Sequence, residues 1–278
     1  MMRALALAAL LLPGVALADP AQRIVSIGGS VTEIAVALGA TSRLIARDTT
    51  STFPAAIKDL PDVGYIRALS AEGVLALGPD MIISEAGAGP KEAVDVLRAA
   101  GVPFVEMPGD PSPAGILAKI DAVARALELP AEGEKLHAEV ARGLAEAEAR
   151  AAAVPGPRKR VLFVLALQSG RVMAGGEGSS AAGIIALAGG VNAAEGFKGY
   201  KQMTDEAVIA AAPDVILMMH RDGDLAVHNA DVLAHPALAQ TPAAQSGALV
   251  RMDGLLLLGF GPRTPEGARE LHSALYGG

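Results

Sequence analysis

Residues 63–84 read VGYIRALSAEGVLALGPDMIIS, and this stretch decides the fold of the chain. Ser70 is a residue type that caps helix N-termini, and the apolar run after it predicts a short helix. The Gly-Pro-Asp sequence at residues 78–80 ends that helix, and the apolar residues 81–83 predict a buried strand. Tyr65 therefore lies on the loop that enters a helix, where side chains are usually free to meet a ligand.

The same pattern returns in the second half of the chain. Residues 204–217 read TDEAVIAAAPDVIL, which repeats a capping residue, a glutamate, an apolar helix, a Pro-Asp pair and a strand. Glu72 and Glu206 each follow the capping residue by two positions and precede the proline by seven. The repetition predicts two related lobes, and Tyr65 belongs to only one of them.

Short strands and helices alternate on both sides of a long helical segment. Residues 114–154 are rich in Ala, Glu, Leu and Lys and are broken at Pro130, which predicts one or two long helices. We therefore predict an α/β fold in which two Rossmann-like lobes are joined by a long interdomain helix. The predicted boundaries are 19–112 for the first lobe, 113–157 for the connector and 158–278 for the second lobe. A stiff connector of this kind also predicts little lobe closure.

The start of the first helix is predicted from a capping sequence. Ser30-Val31-Thr32-Glu33 fits a capping box, in which the serine and the glutamate each bond to a free backbone N–H of the first turn.

The first residues predict export from the cytoplasm. Residues 1–18 combine an arginine, an apolar run and a small-residue cleavage site, which are the features of a secretory signal peptide. The run is too short to span a membrane. The sequence contains no cysteine, so we expect neither disulfide bonds nor a lipid anchor, and we predict a soluble periplasmic protein.

Composition and motifs argue against several classes of function. The net charge of -7 argues against nucleic acid as a partner, because phosphate binding requires a basic surface. The five histidines include no HExxH motif or closely spaced pair, so a zinc or manganese cage is not indicated. The glycine-rich residues 175–178 favour a tight turn over a phosphate site. The chain has no Gly-x-Ser-x-Gly elbow, and a secreted hydrolase remains an alternative without a motif.

Tyr65 and Arg67 are the residues that point to a ligand. A phenol with a pKa of ~10 costs about 4 kcal/mol to ionise at neutral pH, so a tyrosinate forms only where a metal and a nearby cation offset that cost. A hard anionic oxygen suits ferric iron, and tyrosinate is a known axial ligand of haem. Arg67 would hold the phenolate or a haem propionate.

Glu72 and Glu206 have two interpretations. Each lies in the first turn of a predicted helix, where the helix dipole favours a carboxylate by ~0.3–1 kcal/mol, and this alone would explain both. Their matching positions also place one negative charge on each lobe, which suits a two-fold symmetric partner. We favour the docking interpretation.

Four segments resemble the haem-binding periplasmic proteins of bacterial ABC haem importers, within a group that also carries cobalamin and iron siderophores. The segments are residues 23–26 with Thr32-Glu33, residues 63–73, residues 210–214 and residues 259–265. The resemblance runs from Arg23 to Tyr276, and its Gly-Tyr-x-Arg-x-Leu-Ser segment is the part most specific to haem.

The resemblance implies a ligand cleft between the two lobes, with haem as the transported ligand in that cleft. It implies that Tyr65 ligates the iron, that Arg67 supports this ligand, and that Glu72 and Glu206 dock onto arginines of the permease dimer in the inner membrane. A siderophore or cobalamin carrier on the same scaffold stays an alternative. The protein is expected to be a monomer and not an enzyme.

Further cleft contacts are expected from the second lobe and from the strand ends. Arg47 and Arg221 follow predicted strands, at the edge of an α/β sheet where ligands bind. The apolar wall of the cleft is expected to include Met173, Met203, Met219 and residues 255–258. Some relatives supply an axial histidine from the second lobe, but the chain has none between His137 and His220. Five-coordinate iron, or iron with a weak sixth contact, is the resulting hypothesis.

Overall fold

The structure is a computed structural model that describes residues 20–168, 170–220 and 227–277. The predicted signal peptide, residues 1–18, lies outside the described residues, and so does Arg221. In the part of the chain that the structure describes, no helix has the length and apolar character needed to cross a membrane.

The first lobe is a parallel sheet with helices between its strands. The strands are β1 (Ile24–Ile27), β2 (Leu44–Arg47), β3 (Met81–Glu85) and β4 (Phe104–Met107), in the order β2-β1-β3-β4. The helices are α1 (Gly29–Ala37), α2 (Ala71–Leu75) and α3 (Lys91–Ala99). Every residue of β1 is buried, because a central parallel strand is covered on both faces. The loop that carries Tyr65 leaves from the carboxyl end of β2.

Two helices connect the lobes, α4 (Pro113–Ala126) and α5 (Pro130–Ala152). Pro130 occupies the first turn of α5, where its missing N–H costs no hydrogen bond. The two helices pack on each other, and α4 also packs on α1 and β4 of the first lobe. The predicted break at Pro130 is therefore the boundary between two packed helices. The exact lobe and connector boundaries stay predictions.

The second lobe is a mixed sheet. Its strands are β5 (Arg160–Gln168), β6 (Arg171–Gly175), β7 (Val191–Asn192), β8 (Tyr200–Gln202), β9 (Val215–Met219) and β10 (Leu249–Met252). The order is β10-β9-β5-β6-β8, with β7 beside β5, and the pairings of β6 are antiparallel. The helices are α6 (Ser180–Leu187), α7 (Asp205–Ala211), α8 (Asn229–Leu233), α9 (Pro242–Gln245), α10 (Gly254–Leu258) and α11 (Thr264–Tyr276). The predicted two-lobed α/β fold is confirmed.

One hydrophobic core extends through both lobes and the connector. Ile24 and Ile34 of the first lobe, Ile116 of α4, and Phe163 and Ile184 of the second lobe are fully buried members of it. Separating the lobes would expose this apolar surface to water at about 25 cal/mol per Å². The shared core therefore opposes large movements of one lobe against the other.

The predicted capping box at the start of α1 is wrong. Gly28 precedes the helix and provides no side-chain cap. The Ser30 hydroxyl instead donates to Glu85 Oε1 at 2.9 Å, and Glu33 accepts a hydrogen bond from Arg263 of the second lobe. The two polar side chains that the local pattern assigned to the helix N-terminus therefore bond to residues that are distant in the sequence.

A buried lysine joins α4 to both lobes. The Lys119 side chain is only 1% exposed, and its ammonium group donates to Ser30 Oγ and to Glu85 Oε1, each at 2.8 Å. The same nitrogen lies 3.4 Å from the carbonyl oxygen of Phe260 in the second lobe. A charged group can be buried this deeply because its N–H groups find partners. The contact fixes the two lobes and α4 at one point.

Lys119→Met is expected to lower the free energy of unfolding by about 3 kcal/mol, because it leaves the partly buried Glu85 without its cation. Urea unfolding followed by circular dichroism measures the change. Lys91→Met is the matched control, since Lys91 pairs with Asp95 on the exposed surface of α3 and its loss should cost less than about 0.5 kcal/mol. Equal losses in the two variants would contradict the role given to Lys119.

Candidate functional site

The loop that carries Tyr65 is fixed to the first lobe on both sides of that residue. Ile66 and Leu69 are buried in the lobe's apolar core. Gly89 exchanges two backbone hydrogen bonds with them, from its N–H to the Ile66 carbonyl and from the Leu69 N–H to its own carbonyl, both at 2.9 Å. Tyr65 and Arg67 flank the buried Ile66 and are exposed. Their positions are therefore set by the backbone before any ligand arrives.

Arg67 supports the oxygen of Tyr65 directly. Its Nη1 donates a hydrogen bond to Tyr65 Oη at 2.7 Å. The guanidinium carbon lies 5.9 Å from the ring centroid, so the cation meets the hydroxyl end of the side chain. Tyr65 is 44% exposed. Because a guanidinium donor stabilises negative charge on the oxygen it binds, the pair presents an accessible oxygen suited to a metal cation.

Tyr200 lies in the second lobe, at the start of β8. Burial raises the pKa of Tyr200, and the nearby polar groups at the N-terminus of α6, from Ser179, Ser180 and Ala181, oppose that rise only in part. The charge of Arg67 also opposes it, so Tyr200 is near enough to the Tyr65–Arg67 pair of the first lobe to feel that charge.

Arg47 is already engaged within the first lobe. Its Nη1 donates to Asp62 Oδ2 at 2.5 Å and to the carbonyl of Asp48 at 3.2 Å, and its Nη2 donates to the carbonyl of Lys58 at 3.2 Å. These bonds hold together the loop between β2 and α2. Contact of Arg47 with a ligand stays a prediction, and it would require the guanidinium to leave these partners.

Met173 lies on β6 close to Tyr200. The strand register places Met173 opposite Gln202 and Gly175 opposite Tyr200, and residues directly opposite each other share one face of a sheet. Met173 is half-buried on that face. Its expected contact with a ligand stays a prediction, as does that of Arg221, which lies outside the described residues.

Three of the residues expected in the apolar wall belong to the core instead. Met203, Leu256 and Leu257 are buried among other core side chains, because α10 and the turn before α7 direct them inward. Leu255 lies at the junction of the lobes, where a Cβ added to Gly29 would stand 2.5 Å from its Cδ1. The glycine lets the second lobe approach the first at the N-terminus of α1.

An ion pair links the two lobes directly. Arg263 Nε donates to Glu33 Oε1 at 2.7 Å, and the Arg263 guanidinium lies 3.6 Å from the ring centroid of Phe53. Burial raises the pKa of Glu33, and its attraction to Arg263 only partly offsets the cost of burying the charge. Sequence reasoning missed both this pair and the Lys119 contact, because their partners lie far apart in the chain.

The family of the chain follows from comparison with known proteins. Residues 24–255 match the family model described as periplasmic binding protein. The chain belongs to this family. Periplasmic binding proteins are substrate-binding transport proteins and not enzymes, and membership implies a location outside the cytoplasm.

Two solved structures of the periplasmic binding protein fold are similar to this chain over almost its whole length. The periplasmic heme-binding protein BhuT, solved in complex with two hemes, is 40% identical with a TM-score of 0.86, and the match covers 91% of this chain and 97% of BhuT. The periplasmic heme-binding protein RhuT from Roseiflexus sp. RS-1, in apo form, is 39% identical with a TM-score of 0.86, over 92% and 98% of the two chains.

A curated relative is similar over a comparable length. YvrC of Bacillus subtilis, an uncharacterised ABC transporter substrate-binding lipoprotein, is 23% identical over 257 residues, which make up 92% of this chain and 80% of YvrC.

The unfolding free energy of Glu33→Gln is expected to rise relative to that of the parent protein as the pH increases from about 4 to about 7. Folding raises the pKa of Glu33 above its ordinary value of 4.5, so the parent protein loses stability as the pH rises above that value. Glutamine does not titrate and avoids this loss. Urea unfolding of both proteins across this range gives the difference in unfolding free energy, which should increase with pH. Glu92→Gln, on the exposed surface of α3, is the control for the loss of a glutamate charge. A constant or falling difference for Glu33→Gln would contradict the expectation.

Proposed function

We propose that the protein binds ferric haem in the cleft between its lobes, with Tyr65 as the iron ligand, and delivers it to an ABC transporter of the inner membrane. The observation that carries this proposal is the exposed Tyr65 oxygen with Arg67 donating to it at 2.7 Å. Sequence similarity supports the proposal as well, because the chain is 40% identical to the heme-binding protein BhuT over 91% of its length.

The chemistry of the pair favours haem over the related chelates. A phenolate oxygen is a hard anionic ligand that suits ferric iron, and haem leaves an axial position open to such a ligand. Arg67 uses one of its five N–H groups on Tyr65, so further donors are free to meet a haem propionate. A siderophore that already fills the coordination sphere of its iron would gain nothing from the Tyr65 oxygen.

The cleft is preformed. The shared apolar core, the Lys119 contact and the Glu33–Arg263 pair hold the lobes in one arrangement. Largely preformed sites are usual for small molecules, and binding there avoids the cost of ordering the protein. We therefore propose that haem enters and leaves without large lobe closure.

Delivery is assigned to Glu72 and Glu206. Both are exposed in the first turns of α2 and α7, and the caps are alike, since Ser70 accepts from the N–H of Gly73 and Thr204 from that of Ala207. Hydrogen bonds from its own backbone N–H and from the Thr204 hydroxyl lower the pKa of Glu206. One carboxylate on each lobe suits two arginines of a two-fold symmetric permease dimer.

The proposed location is the periplasm, where the predicted signal peptide at residues 1–18 would deliver the protein. The proposed working form is a monomer, because each lobe must present its own glutamate to the permease.

Adding ferric haem to the purified protein is expected to give the absorption spectrum of a tyrosinate-bound haem. Tyr65→Phe should lose that spectrum and bind haem much more weakly, because it removes the ligand oxygen. Arg67→Met should keep the ligand but weaken binding about 10- to 100-fold, as outer partners of metal ligands do. Haem titration followed by absorption measures both effects.

Tyr276→Phe is the control for the haem titration. The Tyr276 hydroxyl bonds to Lys159 and Gly189, and Lys159 precedes β5 at the amino-terminal edge of the sheet, away from the cleft. Its haem spectrum should match that of the parent protein. An unchanged spectrum in Tyr65→Phe would remove Tyr65 as the ligand, whereas failure of the parent protein to bind haem would favour a siderophore or cobalamin carrier.

Reversing both proposed docking charges, in Glu72→Lys with Glu206→Lys, should leave haem binding intact and abolish haem transport by the reconstituted importer. The matched control reverses Glu92 and Glu266, which are also exposed glutamates in the first turns of helices, one in each lobe. The control should transport haem normally. Transport by the first double variant, or its equal loss in the control, would defeat the docking role.

A further inference from the structure

The ring of Tyr200 is packed against two neighbouring residues although Tyr200 is partly exposed. Its ring meets the fully buried ring of Phe163 edge to face, with centroids 6.2 Å apart and an interplanar angle of 71°. Gly175 lies opposite Tyr200 in the strand register, and a Cβ added there would stand 3.1 Å from Tyr200 Cε1. The missing side chain of Gly175 thus leaves the space in which the Tyr200 ring lies against β6.

The hydroxyl of Tyr200 lies near the N-terminus of α6, whose polar groups act on its pKa. Ser179 caps that helix by accepting from the N–H of Ala182 at 3.2 Å while donating to the carbonyl of Gly176 at 2.6 Å. The ring is therefore packed against Phe163 and β6, yet Tyr200 remains 37% exposed and feels the charge of Arg67 from the first lobe. A flat surface fixed in this way can bind a flat ligand without paying to order itself.

We propose that the ring of Tyr200 is the contact surface of the second lobe for the porphyrin, while its hydroxyl stays beside the N-terminus of α6 and does not ligate the iron. This inference rests on the proposed function, in which haem lies against Tyr65 of the first lobe.

The division of roles between the two tyrosines follows from their surroundings. Tyr65 has a guanidinium donor on its oxygen, whereas burial favours the protonated form of Tyr200, whose oxygen lies near α6. Tyr200 would therefore meet a ligand with its ring, and aromatic rings attract each other in offset stacks. Met173 shares this face of the sheet and extends it with a polarizable thioether.

If its role were purely structural, Tyr200 would only cover the buried ring of Phe163. That role predicts loss of stability when Tyr200 is truncated but no specific change in haem binding. Haem affinity and the stability of the ligand-free protein must therefore be measured separately for each variant.

The test titrates ferric haem into Tyr200→Phe, Tyr200→Leu and Tyr200→Ala. Tyr200→Phe keeps the ring and should bind haem within about threefold of the parent protein, whereas the other two lose the ring face and should bind about tenfold more weakly. All three should keep the tyrosinate–iron spectrum, because Tyr65 is intact. Tyr200→Leu retains apolar bulk over Phe163, so it stays folded if the alanine variant does not.

Three results would overturn the inference. Parental haem affinity in Tyr200→Leu would show that the ring does not contact the porphyrin. A changed iron spectrum in Tyr200→Phe would make the hydroxyl a ligand. If the parent protein binds no haem, the proposed function fails and this inference fails with it. Loss of the haem spectrum in Tyr65→Phe alone is the result that the proposed function predicts, and it leaves the test of Tyr200 unaffected.

Discussion

The hydrogen bond from Arg67 to the oxygen of Tyr65 gives the cleft its chemical character. On a mobile loop this arrangement would be unfavourable, because fixing the loop and two exposed side chains costs conformational entropy. The buried Ile66 between them and the backbone hydrogen bonds of Gly89 already fix the loop in the folded protein. A short stretch of sequence thus encodes both the ligand oxygen and the backbone that aims it.

The second lobe is held opposite this oxygen by contacts that cross the whole chain. A shared apolar core provides the bulk of the attachment, and its geometry is fixed by the Glu33–Arg263 ion pair and by Lys119, which pairs with Glu85 and contacts the Phe260 carbonyl. Buried ion pairs add little net stability, but they disfavour alternative arrangements in which a charge would lose its partner. A carrier built in this way offers its ligand a fixed gap and offers a permease two lobes at a constant spacing.

Local patterns predicted much of this architecture. The Ser70 and Thr204 caps, the Pro-Asp stops and the apolar strands depend on neighbours in the sequence, and the structure places them as expected. The short strand β8 has no detectable period, so the position of Tyr200 was not predictable. The lobe contacts were also missed, since Lys119 meets Phe260 across 141 residues and Arg263 meets Glu33 across 230. A lysine within the apolar face of α4 was the one local signal of such a contact.

A crystal structure of the haem-loaded protein tests the central claim most directly. We expect the iron to be bonded to Tyr65 Oη, with Arg67 still donating to the same oxygen and the two lobes in the arrangement described here. A Tyr65 ring turned away from the cleft, or iron held by another side chain, would contradict the account.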